Sequence, residues 1–182
     1  MIFLIKCLYF MMPAYLANMA PVFAQKLGIL KFLNKPVDGG REMGGKRIFG
    51  DHKTWRGFAV GILFAMATAC LQRFLYSAPF FQKISLINYS GTHWCLLGFL
   101  LGFGALFGDL IKSFFKRRVN IAPGAPWIPF DQFDFVIGAL IFAAPIYFPS
   151  WPTVVVILLV SFILHVLANN LGYLLKIKNT RW

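Results

Sequence analysis

The uncharged stretch FVIGALIFAAPIYFPSWPTVVVILLVSFILHVLANNLGYLL, residues 135–175, decides the fold. It contains no Lys, Arg, Asp or Glu, and a membrane-spanning helix needs about 20 mostly apolar residues. Pro145, Pro149 and Pro152 interrupt it, and Trp151 between them suits a membrane interface. The stretch therefore predicts two membrane-spanning helices joined by a tight turn.

The composition extends this prediction to the whole chain. The 182 residues are 59% hydrophobic and 18% aromatic, with a mean hydropathy of +0.69, and such values are typical of a multi-span membrane protein. We predict a single all-α integral membrane domain over residues 1–182 with about five transmembrane helices. The expected spans are 2–25, 57–76, 94–111, 133–149 and 152–175, and the two long polar segments are 26–56 and 112–132.

The distribution of the 18 Lys and Arg residues predicts the orientation. Eight lie between the first two spans, four between the third and fourth, and three in the C-terminal tail, whereas only Lys6, Arg73 and Lys83 fall on the other side. Because cytoplasmic loops are rich in Lys and Arg, we expect the N-terminus outside and the C-terminus in the cytoplasm. Both polar segments then face the cytoplasm from the plasma membrane.

The net charge of +12 is consistent with contact to an anionic lipid surface. Nucleic-acid binding is not expected, because the basic residues lie between spans and not along one soluble face. At the N-terminus, the sequence VFA at 22–24 resembles a signal-peptide cleavage site. Pro13, Tyr15 and Asn18 interrupt the apolar region before it, which favours a retained spanning helix.

The six acidic residues are confined to the two polar segments and the span ends that flank them. A pair of solvated loops would not explain why the other side of the membrane has none. We predict that the two segments meet and build one site. The acids are Asp38, Glu42 and Asp51 in the first segment, and Asp109, Asp131 and Asp134 around the second.

The second group of acids has two interpretations. Asp131 and Asp134 are three residues apart and share one helical face, which suits a hard divalent cation that also holds phosphates. Alternatively, Asp131 caps its helix and Asp134 stabilises the helix dipole. The pattern favours the cation, because capping does not account for Asp109 at the end of a different helix.

The first segment combines glycines with basic residues, as a phosphate site does. Lys46, Arg47, Lys53 and Arg56 lie among six glycines, and Thr54 precedes a helix whose N-terminal N–H groups would face the same site. A flexible, lipid-bound basic loop is the alternative and stays open. Likewise, Lys116, Arg117 and Arg118 are explained by membrane anchoring as well as by phosphate binding. The repeated glycines of the third span, Gly98, Gly102, Gly104 and Gly108, predict close helix packing.

Four segments together resemble the CDP-archaeol synthase family, membrane cytidylyltransferases that join CTP to an archaeal lipid phosphate. They are PAYLANMAPV (13–22), KPVDGG (35–40), GKRIFGDHKTWRG (45–57) and GDLIKSFFKRR with PFDQFD (108–118 and 129–134). The chain is more distantly similar to phosphatidate cytidylyltransferases, since it has their K-T-W-x-G stretch and final acid pair. It lacks their KD and HGG elements, which favours the archaeal branch.

The resemblance implies an enzyme that transfers CMP from CTP, with release of pyrophosphate. It implies that Asp109, Asp131 and Asp134 hold Mg²⁺ and that Lys116 belongs to the catalytic group. Lys116 and Arg117 are also candidates for the lipid phosphate or the pyrophosphate. The residues expected to bind CTP or its phosphates are Asp38, Lys46, Arg47, Asp51, Lys53, Thr54, Arg56 and Arg117, with Asp38, Asp51 or a backbone carbonyl reading the cytosine amine.

The expected partners are CTP, a lipid phosphate and the bilayer, and the sequence leaves the oligomeric state open. Transfer to phosphatidic acid is the alternative reaction. Among other classes, an anion or nucleotide transporter is less favoured because the acids lie at one face of the membrane and no inverted repeat is apparent. A non-catalytic lipid-binding scaffold would leave the grouping of the acids unexplained.

Overall fold

The computed structural model describes residues 1–122 and 124–174. The basic residues counted above in the C-terminal tail, Lys176, Lys178 and Arg181, lie outside the described residues. The helices are α1 (Ile2–Leu27), α2 (Trp55–Leu75), α3 (Pro79–Lys83), α4 (Trp94–Arg118), α5 (Phe130–Ala143) and α6 (Trp151–Leu174). A 3₁₀ turn (Lys31–Leu33) and a hairpin of β1 (Glu42–Met43) and β2 (Lys46–Arg47) lie between α1 and α2.

Within the described residues, four helices are long and apolar enough to cross a membrane: α1, α2, α4 and α6. The span predicted over 133–149 is present only as α5, whose 14 residues rise about 21 Å, less than the roughly 30 Å of hydrocarbon. Its helix ends early because Pro145 and Pro149 cannot continue it. By length alone, four of the described helices qualify as full spans and α5 does not, so the number of about five membrane crossings stays a prediction.

The third predicted span, 94–111, is longer than expected, because α4 continues to Arg118. Residues 112–118 contain neither Pro nor Gly, and the basic residues Lys116, Arg117 and Arg118 in the last turn are favourable at the negative end of the helix dipole. The extension carries Asp109 and the basic residues on one continuous helix. The first third of the segment predicted as a polar loop, residues 112–118, is therefore the end of α4.

The glycines of α4 allow close helix packing, as predicted. A Cβ added at Gly104 would collide with the carbonyl group of Gly138, and one at Gly108 with the carbonyl oxygen of Asp134. On the opposite face, a Cβ at Gly98 would lie 2.7 Å from the Cβ of Ala69 on α2. Because the contacts of Gly104 and Gly108 are backbone to backbone, they bring the start of α5 against the end of α4.

The connection between α2 and α4 is more ordered than a simple outer loop. It contains α3, and its Tyr89 is buried with the hydroxyl donating to Gln72 Oε1 at 3.0 Å. Gln72 Nε2 in turn donates to the carbonyl oxygen of Tyr9 at 2.5 Å. This network joins α1, α2 and the connection at one end of the helix bundle, and the acidic residues gather at the other end.

Candidate functional site

Six charged residues form what we call the acid–lysine cluster. Asp109, Lys112 and Lys116 lie on one face of α4, at spacings of three and four residues. Asp131 and Asp134 lie on the first turns of α5, which the glycine contacts hold against α4. Lys53 belongs to the segment before α2. The complete cluster is Lys53, Asp109, Lys112, Lys116, Asp131 and Asp134.

Lys112 is the centre of the cluster. Its Nζ lies 3.0 Å from Asp109 Oδ1, 2.9 Å from Asp131 Oδ1 and 2.7 Å from Asp134 Oδ2. In the prediction from the sequence, Lys112 counts only toward the orientation and is not among the site residues. Its position three residues after Asp109 was the signal that would have identified it.

Lys53 and Lys116 complete the ion pairs from two sides. Lys53 Nζ pairs with Asp109 Oδ2, which joins the first polar segment to α4. Lys116 Nζ lies 3.1 and 3.2 Å from the two oxygens of Asp131 and donates to the carbonyl oxygen of Ala125 at 2.6 Å. The two polar segments therefore contact one another, as predicted from the grouping of the acids.

The three carboxylates are shielded from solvent and balanced in charge. The side chains of Asp109, Asp131 and Asp134 are 17%, 16% and 6% exposed, and three ammonium groups face them. Burial raises the pKa of Asp131, but Lys112, the Trp127 N–H and Lys116 outweigh it and lower that pKa below its usual range. Breaking one pair would leave a buried charge uncompensated, which is costly.

The cluster has the donor set that a hard divalent cation requires. Each of the three carboxylates places an oxygen within 3.0 Å of one point, the Nζ of Lys112, and carboxylate oxygens are the preferred ligands of Mg²⁺. The described part of the chain nevertheless contains no three acidic or other ligand side chains already close enough to hold a metal. The residues fit the ion chemically, and the ammonium stands at their centre.

Asp38 lies inside the first polar segment. It accepts hydrogen bonds from the N–H groups of Gly40, Phe49 and Gly50 at 3.0, 3.0 and 3.1 Å and from Arg47 at 2.7 Å. Burial opposes its charge, but these donors prevail and lower its pKa to about 2. Its side chain is fully shielded, so in this structure Asp38 shapes the loop, and its contact with CTP stays a prediction.

Arg118 fastens the hairpin to the end of α4. Its guanidinium donates to the carbonyl oxygens of Met43, Lys46 and Arg47, and it lies 4.9 Å from the centre of the Phe114 ring. Lys46 Nζ donates a hydrogen bond to the Arg118 carbonyl oxygen at 3.2 Å. From the sequence, Arg118 is predicted only as an anchor or a phosphate ligand, because its partners in the hairpin are distant in sequence.

The remaining predicted residues divide between structural and site positions. Thr54 caps α2 by accepting from the Gly57 N–H at 3.2 Å. Arg47 pairs with Asp38 and with the exposed Asp51. Arg47 therefore engages the loop itself and Lys46 the end of α4, and both line a small cavity together with Arg117. Arg56 and Arg117 each line a cavity beside the acid–lysine cluster.

Two polar cavities open from the cluster, with volumes of about 390 and 460 Å³. They share Lys53, Lys112 and Asp131. The first adds Lys116 and Arg117, so it is strongly basic. The second adds Thr54, Arg56, Asp109 and Asp134, and His52 lines both.

A third space, of about 580 Å³, is an apolar groove between α4 and α5. Exposed Ile137 and Ile141 lie along it, and Lys112 and Asp134 are at its polar edge. The groove thus adjoins the cluster from the side opposite the basic cavity. Its lining is Phe107, Gly108, Ile111, Lys112, Phe115, Trp127, Phe130, Phe133, Asp134, Ile137, Gly138, Ile141 and Phe142.

This arrangement combines an anion-binding cavity, a cation-binding donor set and an apolar groove at one point. Basic side chains around a shielded cavity can bind phosphates, and the carboxylates beside them would hold a divalent cation, which would supply further positive charge. No side chain of the cluster is a Ser or Cys nucleophile. The geometry is therefore suited to the transfer of a phosphate-linked group to an amphiphilic acceptor.

Comparison with known proteins identifies close relatives along the full chain. The family model described as CarS-like, CDP-archaeol synthase, matches residues 1–182. A CDP-archaeol synthase of Methanococcoides burtonii is 39% identical over 182 residues, covering 94% of this chain and all of its own. One of Pyrococcus furiosus is 38% identical over 180 residues, covering 98% of each chain.

A solved structure is also similar. It is described as an intramembrane enzyme for archaeal membrane lipids biosynthesis, and it superimposes with a TM-score of 0.72 at 30% sequence identity. The similarity covers 89% of this chain and 91% of the other. The fold described above is thus shared with a membrane-embedded enzyme.

Proposed function

We propose that the acid–lysine cluster is the catalytic centre of this chain. The chain belongs to the CDP-archaeol synthase family and is a membrane cytidylyltransferase that forms CDP-archaeol from CTP. One observation carries the proposal. Lys112 lines both polar cavities and the apolar groove, so a nucleotide and a lipid can meet only there among the spaces described. The neighbouring acids and lysines supply the charges that phosphate chemistry needs.

The reaction displaces pyrophosphate. An oxygen of the lipid phosphate attacks the α-phosphorus of CTP, and the bond from that phosphorus to the bridging oxygen of the β-phosphate breaks. The electron pair leaves with pyrophosphate, and the new phosphoanhydride joins CMP to the lipid. Such transfers depend on positioning and on charge neutralisation more than on a covalent nucleophile.

The basic side chains of the cavity neutralise the phosphates. Lys53, Lys116 and Arg117 surround the first cavity, and Arg56 approaches from the second. Asp109, Asp131 and Asp134 would hold Mg²⁺, which when bound supplies positive charge to the reacting phosphates. Asp51 remains the candidate acceptor for the cytosine amine, because its side chain is 72% exposed and it lines the second cavity.

The groove between α4 and α5 takes the acceptor's hydrocarbon chains. Its lining is almost wholly apolar, and Ile137 and Ile141, 46% and 62% exposed, open it toward the bilayer. Because Lys112 and Asp134 form its polar edge, the acceptor's phosphate would lie beside the cluster. The site then faces the cytoplasm at the plasma membrane, on the side where the basic residues gather.

The proposal is tested with purified protein, labelled CTP, MgCl₂ and two acceptors in matched liposomes. A diether glycerol phosphate with isoprenoid chains and a diacyl phosphatidic acid are compared at equal concentration. We expect labelled CDP-lipid from the diether acceptor and less from the diacyl acceptor. Equal or greater transfer to phosphatidic acid would contradict the acceptor assignment, and no transfer to either would contradict the function.

A further inference from the structure

Lys112 occupies the position where a cation would bind. Its Nζ contacts Asp109, Asp131 and Asp134 at 2.7 to 3.0 Å. No other described lysine contacts more than one of these carboxylates. The site therefore already contains one cation that is covalently part of the chain.

Asp134 is the most shielded of the three carboxylates. Its side chain is 6% exposed, and Oδ2 lies 2.7 Å from Lys112 Nζ, the one ion pair that Asp134 makes among the described residues. A buried carboxylate needs an opposite charge beside it. Lys112 supplies that charge, so only another cation can replace it.

The Lys112 ammonium makes the acid–lysine cluster electrically neutral. Lys53, Lys112 and Lys116 balance the three carboxylates, so the net charge of the cluster is zero. Without Lys112, three shielded carboxylates would face two ammonium groups and repel one another. A divalent ion that binds without a nucleotide must therefore displace the Lys112 ammonium. The displaced ammonium then has no partner for its charge, and this cost opposes metal binding.

We propose that Lys112 is an internal counter-ion that holds the three carboxylates ready for a divalent cation and moves to a phosphate of CTP when metal and nucleotide enter together. This proposal rests on the function proposed above. The basic cavity next to Lys112 is where the triphosphate would offer the ammonium a new partner. Metal and nucleotide then help one another to bind, and this coupling is reciprocal.

The test measures Mn²⁺ binding in the absence of CTP, by electron paramagnetic resonance on the full chain in detergent at pH 7. Lys112→Met keeps the apolar stem of the side chain and removes the ammonium. We expect this variant to bind Mn²⁺ at least about tenfold more tightly than the wild type, within the usual range of such coupling. Its thermal midpoint should also rise more on addition of Mn²⁺ than that of the wild type.

Lys116→Met is the matched control, because it removes the same charge from a lysine that contacts only one of the three carboxylates. It should raise Mn²⁺ affinity by less than about threefold, given that a single pair is affected. An unchanged or lower affinity in Lys112→Met would overturn the proposal, and so would an equal increase in both variants. The first outcome would show that the Lys112 ammonium does not compete with the metal ion, and the second that general charge, and not the position of Lys112, governs metal binding.

If Lys112→Met alone does not fold, the comparison is made in a background with one carboxylate fewer. Lys112→Met with Asp131→Asn is then compared with Asp131→Asn alone, and the same increase in Mn²⁺ affinity is expected. No increase overturns the proposal. CDP-lipid formation by the wild-type protein is measured separately, so the inference and the proposed function can fail independently.

Discussion

Gly108 and Asp134 pack backbone against backbone: a Cβ on Gly108 would collide with the carbonyl oxygen of Asp134. This contact sets the distance between α4 and α5 at the depth of the acid–lysine cluster. Asp109 and Asp134, on different helices, therefore meet the same ammonium group of Lys112. The close approach of the helices is a requirement of the site.

Gly108→Ala should separate the two helices at the cluster. Because the obstructing atoms are backbone, we expect a loss of about 2 kcal/mol of stability, as for overpacked cores, and at least tenfold lower kcat for CDP-lipid formation. The control is Gly91→Ala, in the connection between α2 and α4, where a Cβ would meet only Asn88 at 3.9 Å. Wild-type kcat in Gly108→Ala would contradict the role of this contact.

The sequence was enough to predict two features of the site: that the acidic residues meet and that α4 packs closely against its neighbours. The grouping of Asp109, Asp131 and Asp134 predicted that the polar segments meet, and the glycine repeat predicted close packing. Both follow from local patterns. A charged side chain inside the hydrocarbon raises the free energy of the folded protein, so acids are placed outside it, and small residues permit close helix approach. The bounds of α1 and α2 and the start of α6 followed from apolar length alone.

The remaining features depend on tertiary contacts. Lys112 resembled an anchoring lysine, because nothing in its own segment shows that Asp131 and Asp134 surround it. The bonds of Asp38 within the loop come from the backbone N–H groups of Gly40, Phe49 and Gly50, which only the folded loop brings together. The length of α5 was overestimated because an apolar composition does not distinguish helix from extended chain.

Asp38 should make the stability of the loop depend on acid pH. Its pKa of about 2 is below the usual value near 4, so its contribution is complete above about pH 4 and is lost as the pH falls toward 2. We expect Asp38→Asn to lower the thermal midpoint between pH 5 and 7 by a constant amount, equivalent to about 2 kcal/mol. The difference from the wild type should shrink below pH 4; a difference that stays constant down to pH 3 would contradict this assignment.

Arg118→Met should weaken CTP binding by releasing the hairpin from α4. The guanidinium contacts three backbone carbonyl groups of the hairpin, and losing charged hydrogen bonds of this kind costs about 1.5–3 kcal/mol. We expect the KM for CTP to rise about tenfold with a smaller change in the KM for the lipid. Arg41→Met, at an exposed position of the same loop, is the control and should leave both values near wild type. An equal effect of the two substitutions would indicate lost surface charge instead.

Filling the apolar groove should affect the lipid and not the nucleotide. Ile137→Trp adds volume inside the groove, so we expect a KM for the lipid phosphate at least about fivefold higher, corresponding to roughly 1 kcal/mol, and an unchanged KM for CTP. Ile163→Trp, on an exposed apolar face of α6 outside the groove, is the matched control. A change in the KM for CTP alone would place the lipid elsewhere.

The central claim is that CMP transfer takes place at the acid–lysine cluster, and the paired substitution Asp131→Asn with Asp134→Asn tests it most directly. The variant is assayed for CDP-lipid formation from labelled CTP, with circular dichroism to establish that it is folded. Removing two of the three carboxylates should lower kcat by at least about a thousandfold, as loss of transition-state charge stabilisation does. A folded variant that retains more than about a tenth of wild-type kcat, a loss of under 1.4 kcal/mol, would contradict the claim.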